Sequence, residues 1–255
     1  MLNLRTSSAQ TASRAFRPLS RRVGEDNMHW LSRVAGKRLS DKGACHLVLL
    51  GGVDPTAFRL RVAQSHVRHD LSPSHWSHVV LLDGSAKGSK STNAYEVSLT
   101  PVGGFGFPPP TNGIQEVPLE TYANAKAWPN IAVIHVPMPN AEALGDKGVA
   151  GIVDRIRGER GVVDLPGLVV SWLAFVWGIG ATGNPLFNGQ GIPSAVLAEH
   201  VLATVGIDIT PGLASQSSCP EAVWQAARWW QGYYKTARSI DVEGVWCIKH
   251  RIGPG

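Results

Sequence analysis

The chain has 255 residues, of which 44% are apolar and 17% charged. That is globular composition, with length enough for a substantial core, and it excludes wholesale disorder. The net charge of +5 is carried by the start of the chain: residues 1–40 hold eight Lys/Arg against Glu25 and Asp26 alone, and the rest has sixteen basic against seventeen acidic side chains. A nucleic-acid groove would set its basic excess on the folded part, so no nucleic-acid partner is expected.

Residues 1–41 read as a basic N-terminal extension, flexible or loosely docked, because they are Ser/Thr/Arg-rich and lack an apolar run. The missing apolar run excludes a secretory signal; an Arg-rich, acid-poor start also suits a mitochondrial address, the lesser of the two readings. Residues 42–255 read as a single domain. Cys45, Cys219 and Cys247 are too few and too scattered for a disulfide framework or a Cys-rich zinc site. They fit a reducing compartment, most simply the cytoplasm.

The first strand signal is His46–Gly51, followed by a short helix near Thr56–Gln64. Ser77–Asp83 contains the continuous apolar run Val79–Leu82, as expected for a strand buried on both faces. Ala94–Leu99 reads as a third strand, Pro101–Asn112 as a Gly/Pro-rich loop, and Ile114–Pro118 and Ile131–Pro137 as further strands. The second half is helical, at Ala141–Arg157, Leu168–Trp177, Ser194–Val205 and Glu221–Trp230, with a last strand at Val245–Ile252. Strands first and helices second predict an α+β fold. Leu165–Thr182 is eighteen residues without a charge, but Pro166, Gly167, Gly178 and Gly180 confine its apolar core to Leu168–Trp177. That length suits a buried helix, and no stable membrane insertion is expected.

His66, His69, His75 and His78 fall within thirteen residues. No Cys, Asp or Glu except Asp70 has ligand spacing beside them, and Pro73 breaks any shared helix, so neither metal nor cofactor is expected. His78 differs from the others because it opens a buried strand, where an imidazole is held rigidly enough for a general base. Glu96 lies at the centre of the neighbouring strand, where an unpaired carboxylate costs several kcal/mol. A hairpin between the strands pairs it with His78, fixing the tautomer and stabilising the imidazolium. A nucleophile belongs where a helix begins, since the positive end of the dipole favours a developing anion. Ser194 and Cys219 both open helices. Capping explains a serine there as readily as catalysis does, and thiolate chemistry prefers Cys219 as the alternative nucleophile. Trp172, Trp177, Trp224, Trp229 and Trp230 serve either as core or as the wall of an apolar groove.

The order of parts over residues 44–235 resembles the circularly permuted papain-like hydrolases of the NlpC superfamily. The family's S-H-V-G histidine strand is similar to Ser77-His78-Val79, its Glu strand to Glu96-Val97, and its Gly-Gly loop to Gly103-Gly104. Val163-Asp164 stands where the family has Tyr-Asp. The family's C-S-x-L-V nucleophile segment, A-G-I-D-L-x-P turn and S-P-E-D-L helix are similar to Ser194-Ala195-Val196-Leu197-Ala198, to Gly206 through Pro211, and to Cys219-Pro220-Glu221-Ala222-Val223. That register sets Ser194 at the position of the family cysteine.

The resemblance implies a permuted papain-like fold, an antiparallel sheet packed against a helical half. It also implies a peptidase or amidohydrolase with a Ser194-His78-Glu96 triad and an acyl-enzyme intermediate. A serine at that position fits a genuine serine hydrolase, an engineered Cys-to-Ser trap, or a binding module that has lost catalysis. The implied substrate is a protein or peptide, a ubiquitin-like tail among them; the family type also includes lipid amidases, acyltransferases and cell-wall peptidases, of which a murein substrate is not expected without an export signal.

Overall fold

Alternating and continuous apolar runs assemble into one seven-stranded sheet with helices on both faces. The computed structural model describes residues 17–39, 41, 43–83, 93–100, 111–138, 148–159, 163–233 and 242–249. Its strands are β1 (Arg17–Pro18), β2 (Ala44–Gly51), β3 (His78–Asp83), β4 (Asn93–Glu96), β5 (Gln115–Pro118), β6 (Asn130–Pro137) and β7 (Glu243–Cys247). Its helices are α1 (Asn27–Leu39), α2 (Pro55–Ala63), α3 (Gly148–Gly158), α4 (Leu165–Trp177), α5 (Pro193–Thr204) and α6 (Pro220–Tyr233). The strand order is β1-β7-β6-β2-β3-β4-β5. Every neighbouring pair is antiparallel except β1 with β7. The expected mixed α+β fold, a largely antiparallel sheet against several helices, is therefore present.

Period-two alternation sorts the sheet into two cores. The register pairs Leu47 with Leu81 and Leu49 with Val79, and these four side chains pack against α3, α5 and α6. The intervening pairs, Val48 with Val80 and Leu50 with His78, set Val48, Leu50 and Val80 on the other face, against Trp30 and Leu31 of α1 and Tyr122. Because β2 and β3 are buried on both faces, they read as continuous apolar runs. Helix α5 lies so deep that Pro193 through Glu199, Val201 and Leu202 are all buried, which its apolar character on every side permits. Among the described residues, no helix is long and apolar enough to cross a membrane. The uncharged stretch from Leu165 becomes the 13-residue α4, ended by Gly178 at φ 67°, a left-handed conformation that glycine adopts without a Cβ penalty.

The start of the chain differs from the expectation of a loosely docked extension. Residues 17–39 supply an edge strand and a helix, and residues 1–16 lie outside the described residues. Trp30, Leu31 and Ala35 are buried against the sheet, and the Trp30 indole donates to the Leu19 carbonyl at 2.7 Å. Their apolar stripe is narrow and interleaved with Arg and Lys, which conceals it from a composition-based reading. Asn27 donates to the Tyr122 and Trp128 carbonyls at 2.8 and 3.0 Å, so α1 also anchors the connection between β5 and β6. Replacing fully buried Trp30 with Ala should cost about 3–5 kcal/mol in denaturant unfolding. A loss below about 1 kcal/mol would show that α1 is not part of the core.

Candidate functional site

His78 is the first residue of β3, paired with Leu50 of β2, so its backbone is held by the sheet. The residue is 9% exposed, at the boundary between core and cleft. Glu96, the last residue of β4, is fully buried, and its Oε2 lies 2.5 Å from His78 Nε2. The Tyr122 hydroxyl donates to the same Oε2 and stands 3.4 Å from His78 Nε2. Glu96 Oε1 has no hydrogen-bond partner among the described residues. Burial pushes the Glu96 carboxyl up; the charge and hydrogen bond of His78 and the Tyr122 hydroxyl outweigh it, leaving the group below its ordinary value. An ionised carboxylate only accepts, so the shared proton sits on Nε2 and Nδ1 is the nitrogen left to receive another. The pairing of His78 with Glu96 expected from the strand order is thus present.

Ser194 is placed by the segment before α5. Gly191 donates to the Gln216 carbonyl at 2.6 Å and accepts from the Trp172 indole at 2.7 Å, while Ile192 donates to Ser218 at 2.9 Å. A Cβ on Gly191 would collide with the Ser218 and Gln216 carbonyls and with Val196, so only glycine allows this close approach. Pro193 then starts the helix, contributing no N–H where none is needed. Ala195 and Val196 both donate to Ile192, whereas the Ser194 N–H has no partner among the described residues. Ser194 is 1% exposed, and its hydroxyl accepts from the Val79 N–H at 3.3 Å. Among the described hydrogen bonds, none joins Ser194 to His78. The strand order brings the serine to the residue beside His78, not onto its ring.

Both side chains line one cleft of about 330 Å³. Its walls include Leu60, Val97, Leu99 and Ile192, with Tyr122 and Trp128 as aromatic neighbours. Asp54, the exposed N-cap of α2, stands at the same cleft; neither Lys nor Arg is among its described lining. Tyr122 and Trp128 are the functional candidates that sequence reasoning missed. Both lie in a short 3-10 turn and loop between β5 and β6, where no periodicity or motif marks them.

The other chemical candidates separate from this cleft. Cys219 packs among Leu60, Ala63, Trp172, Val176 and Ile192, and burial pushes its thiol up to about 12. That burial removes the thiolate advantage that made it an alternative nucleophile. Trp172 and Trp224 are core, Trp177 and Trp229 are exposed, and the cleft wall uses none of them. His66 contacts the Ala63 carbonyl and Phe187, and His75 packs against Trp76. Among the described residues no three His, Cys, Asp or Glu gather as a metal-binding set. Asp164 caps α4 through the Gly167 N–H at 3.0 Å, and Gly103-Gly104 lie outside the described residues. Comparison with protein-family profiles, with curated proteins and with solved structures returns no match.

Behind the serine helix, Glu199 accepts from Thr210 and Ser218 at 2.8 and 3.0 Å, tying α5 to the loop that holds Gly191 and Ile192. Burial raises its carboxyl to about 7. Its contribution to stability is therefore complete below pH 4.5, its ordinary value, and is lost as the pH rises through 7. Across that interval the wild type should lose about 3 kcal/mol relative to Glu199→Gln, read by denaturant unfolding at the two ends. Parallel stability curves for the two proteins would contradict a buried, neutral Glu199.

Proposed function

We propose that the chain is a hydrolase that cleaves an amide or peptide bond, or an ester, through an acyl-enzyme on Ser194, on a permuted papain-like frame. The observation that carries this reading is a buried His78–Glu96 pair at the wall of a cleft that Ser194 also lines, at the start of a helix. Rotation of the Ser194 side chain away from the Val79 N–H frees its hydroxyl for His78 Nδ1. The imidazole takes the hydroxyl proton as Oγ attacks the carbonyl carbon, and Glu96 stabilises the resulting imidazolium. The Ser194 N–H, without a partner among the described residues and at the positive end of α5, stabilises the oxyanion. His78 returns the proton to the leaving group, and water then releases the acyl group by the reverse path.

The substrate class proposed is a protein or peptide in a reducing compartment such as the cytoplasm, with an extended, glycine-rich tail of the ubiquitin-like kind as one specialisation. A cleft of this volume accepts a narrow chain, and its apolar walls suit the side chains flanking the scissile bond. A binding module without chemistry is the second reading. It is favoured by the Ser194 hydroxyl, which is engaged with the Val79 backbone instead of the imidazole.

A fluorophosphonate probe separates the two. The hydrolase reading expects label on Ser194, with Ser194→Ala or His78→Ala lowering turnover by about 10³-fold or more in a folded protein. Absence of label on the wild type favours the binding module. In paired amide substrates that differ only in charge, Asp54 should favour the cationic member. Asp54→Asn should reduce that preference several-fold, and an unchanged preference would remove Asp54 from recognition.

A further inference from the structure

Glu96 presents one oxygen to two donors: Oε2 faces both the His78 ring and the Tyr122 hydroxyl. We propose that Tyr122 is a positioning residue that holds Glu96 against His78 and limits how tightly the carboxylate grips the imidazolium.

Two observations lead there, and the ionisation behaviour of the phenol agrees with them. The phenol is 4% exposed and packs edge-on against Trp128, ring centroids 5.1 Å apart. Its backbone carbonyl is held by Asn27 of α1, so its position is set from outside the cleft. Burial, then the charge and hydrogen bond of Glu96, pushes the hydroxyl well above its ordinary value. It therefore remains a donor to Glu96 at neutral pH.

A donor on Oε2 has two effects. It prevents the carboxylate from rotating toward its unpartnered Oε1, and it withdraws negative charge from the oxygen that meets Nε2. A general base must be stabilised when it gains a proton and must also release that proton to the leaving group. Sharing Oε2 moderates the first demand in favour of the second. Among the described residues, the titratable groups in contact with the imidazole are Glu96 from β4 and Tyr122 from the turn after β5; Asp54 from the cap of α2 lines the same cleft, and Ser194 of α5 adds no charge.

The test is Tyr122→Phe in the full chain, which keeps the ring and removes only the donor. The kinetic arm rests on the hydrolase reading; the spectroscopic arm does not. With the fluorophosphonate probe, the maximal labelling rate of Ser194 should fall about tenfold, probe binding should hold, and the pH profile of labelling should differ from the wild type. The low-field proton resonance of the His78–Glu96 hydrogen bond should shift in the same variant. In a Glu96→Gln background, Tyr122→Phe should change little further, since the two act through one oxygen. A pH profile and proton resonance that match the wild type, or losses that simply add, would overturn the role. If the wild type never reacts while the resonance still shifts on Tyr122→Phe, the positioning role stands and the hydrolase reading falls.

Discussion

A carboxylate sealed from water inside a sheet survives only with partners, and among the described residues Glu96 has two, His78 and Tyr122. The functional account depends on that arrangement. Without donors, a fully buried Glu96 would be neutral or destabilising by several kcal/mol. With them the ionised form is favoured, and an ionised carboxylate assigns the shared proton to His78 Nε2. One electrostatic requirement of the core thus prepares an imidazole at a cleft.

The fold supplies the remaining geometry from separate directions. The ladder between β2 and β3 fixes the His78 backbone, and the β4–β5 pairing fixes Glu96 opposite Gln115. From the other face, α5 enters with Ser194 at its first turn, held by carbonyls at Gln216 and Ser218 and by the indole of Trp172. Helix α1, packed on the face opposite α5, is tied to the segment bearing Tyr122 and Trp128 through Asn27. Each of these side chains is therefore placed by elements whose own stability comes from the apolar cores on either side.

Much of this was legible in the residues, and the reasons differ from one to the next. The run from Val79 to Leu82 could only be a strand covered on both faces, so the histidine at its lip had to lie at an edge of the core. Glu96 between Tyr95 and Val97 demanded a cationic or donor partner, and the adjacent strand offered one. Tyr122 was not legible, because a donor in a short turn carries no pattern and meets Glu96 only after β5 has folded back. Helix α1 was obscured by its arginines. Cys219 illustrates the opposite error: a helix start favours a thiolate only where water or a cation reaches it, and burial among Leu60, Trp172 and Ile192 reverses the sign.

The central claim is that the imidazole held by Glu96 serves the hydroxyl of Ser194. A crystal structure of the protein after treatment with a small fluorophosphonate tests it most directly. The account predicts phosphorus bonded to Ser194 Oγ, a phosphoryl oxygen directed at the Ser194 N–H, and His78 Nδ1 within hydrogen-bond distance of the adduct while Nε2 remains on Glu96. An unmodified Ser194 still engaged with the Val79 N–H, or an adduct beyond reach of the His78 ring, would contradict it.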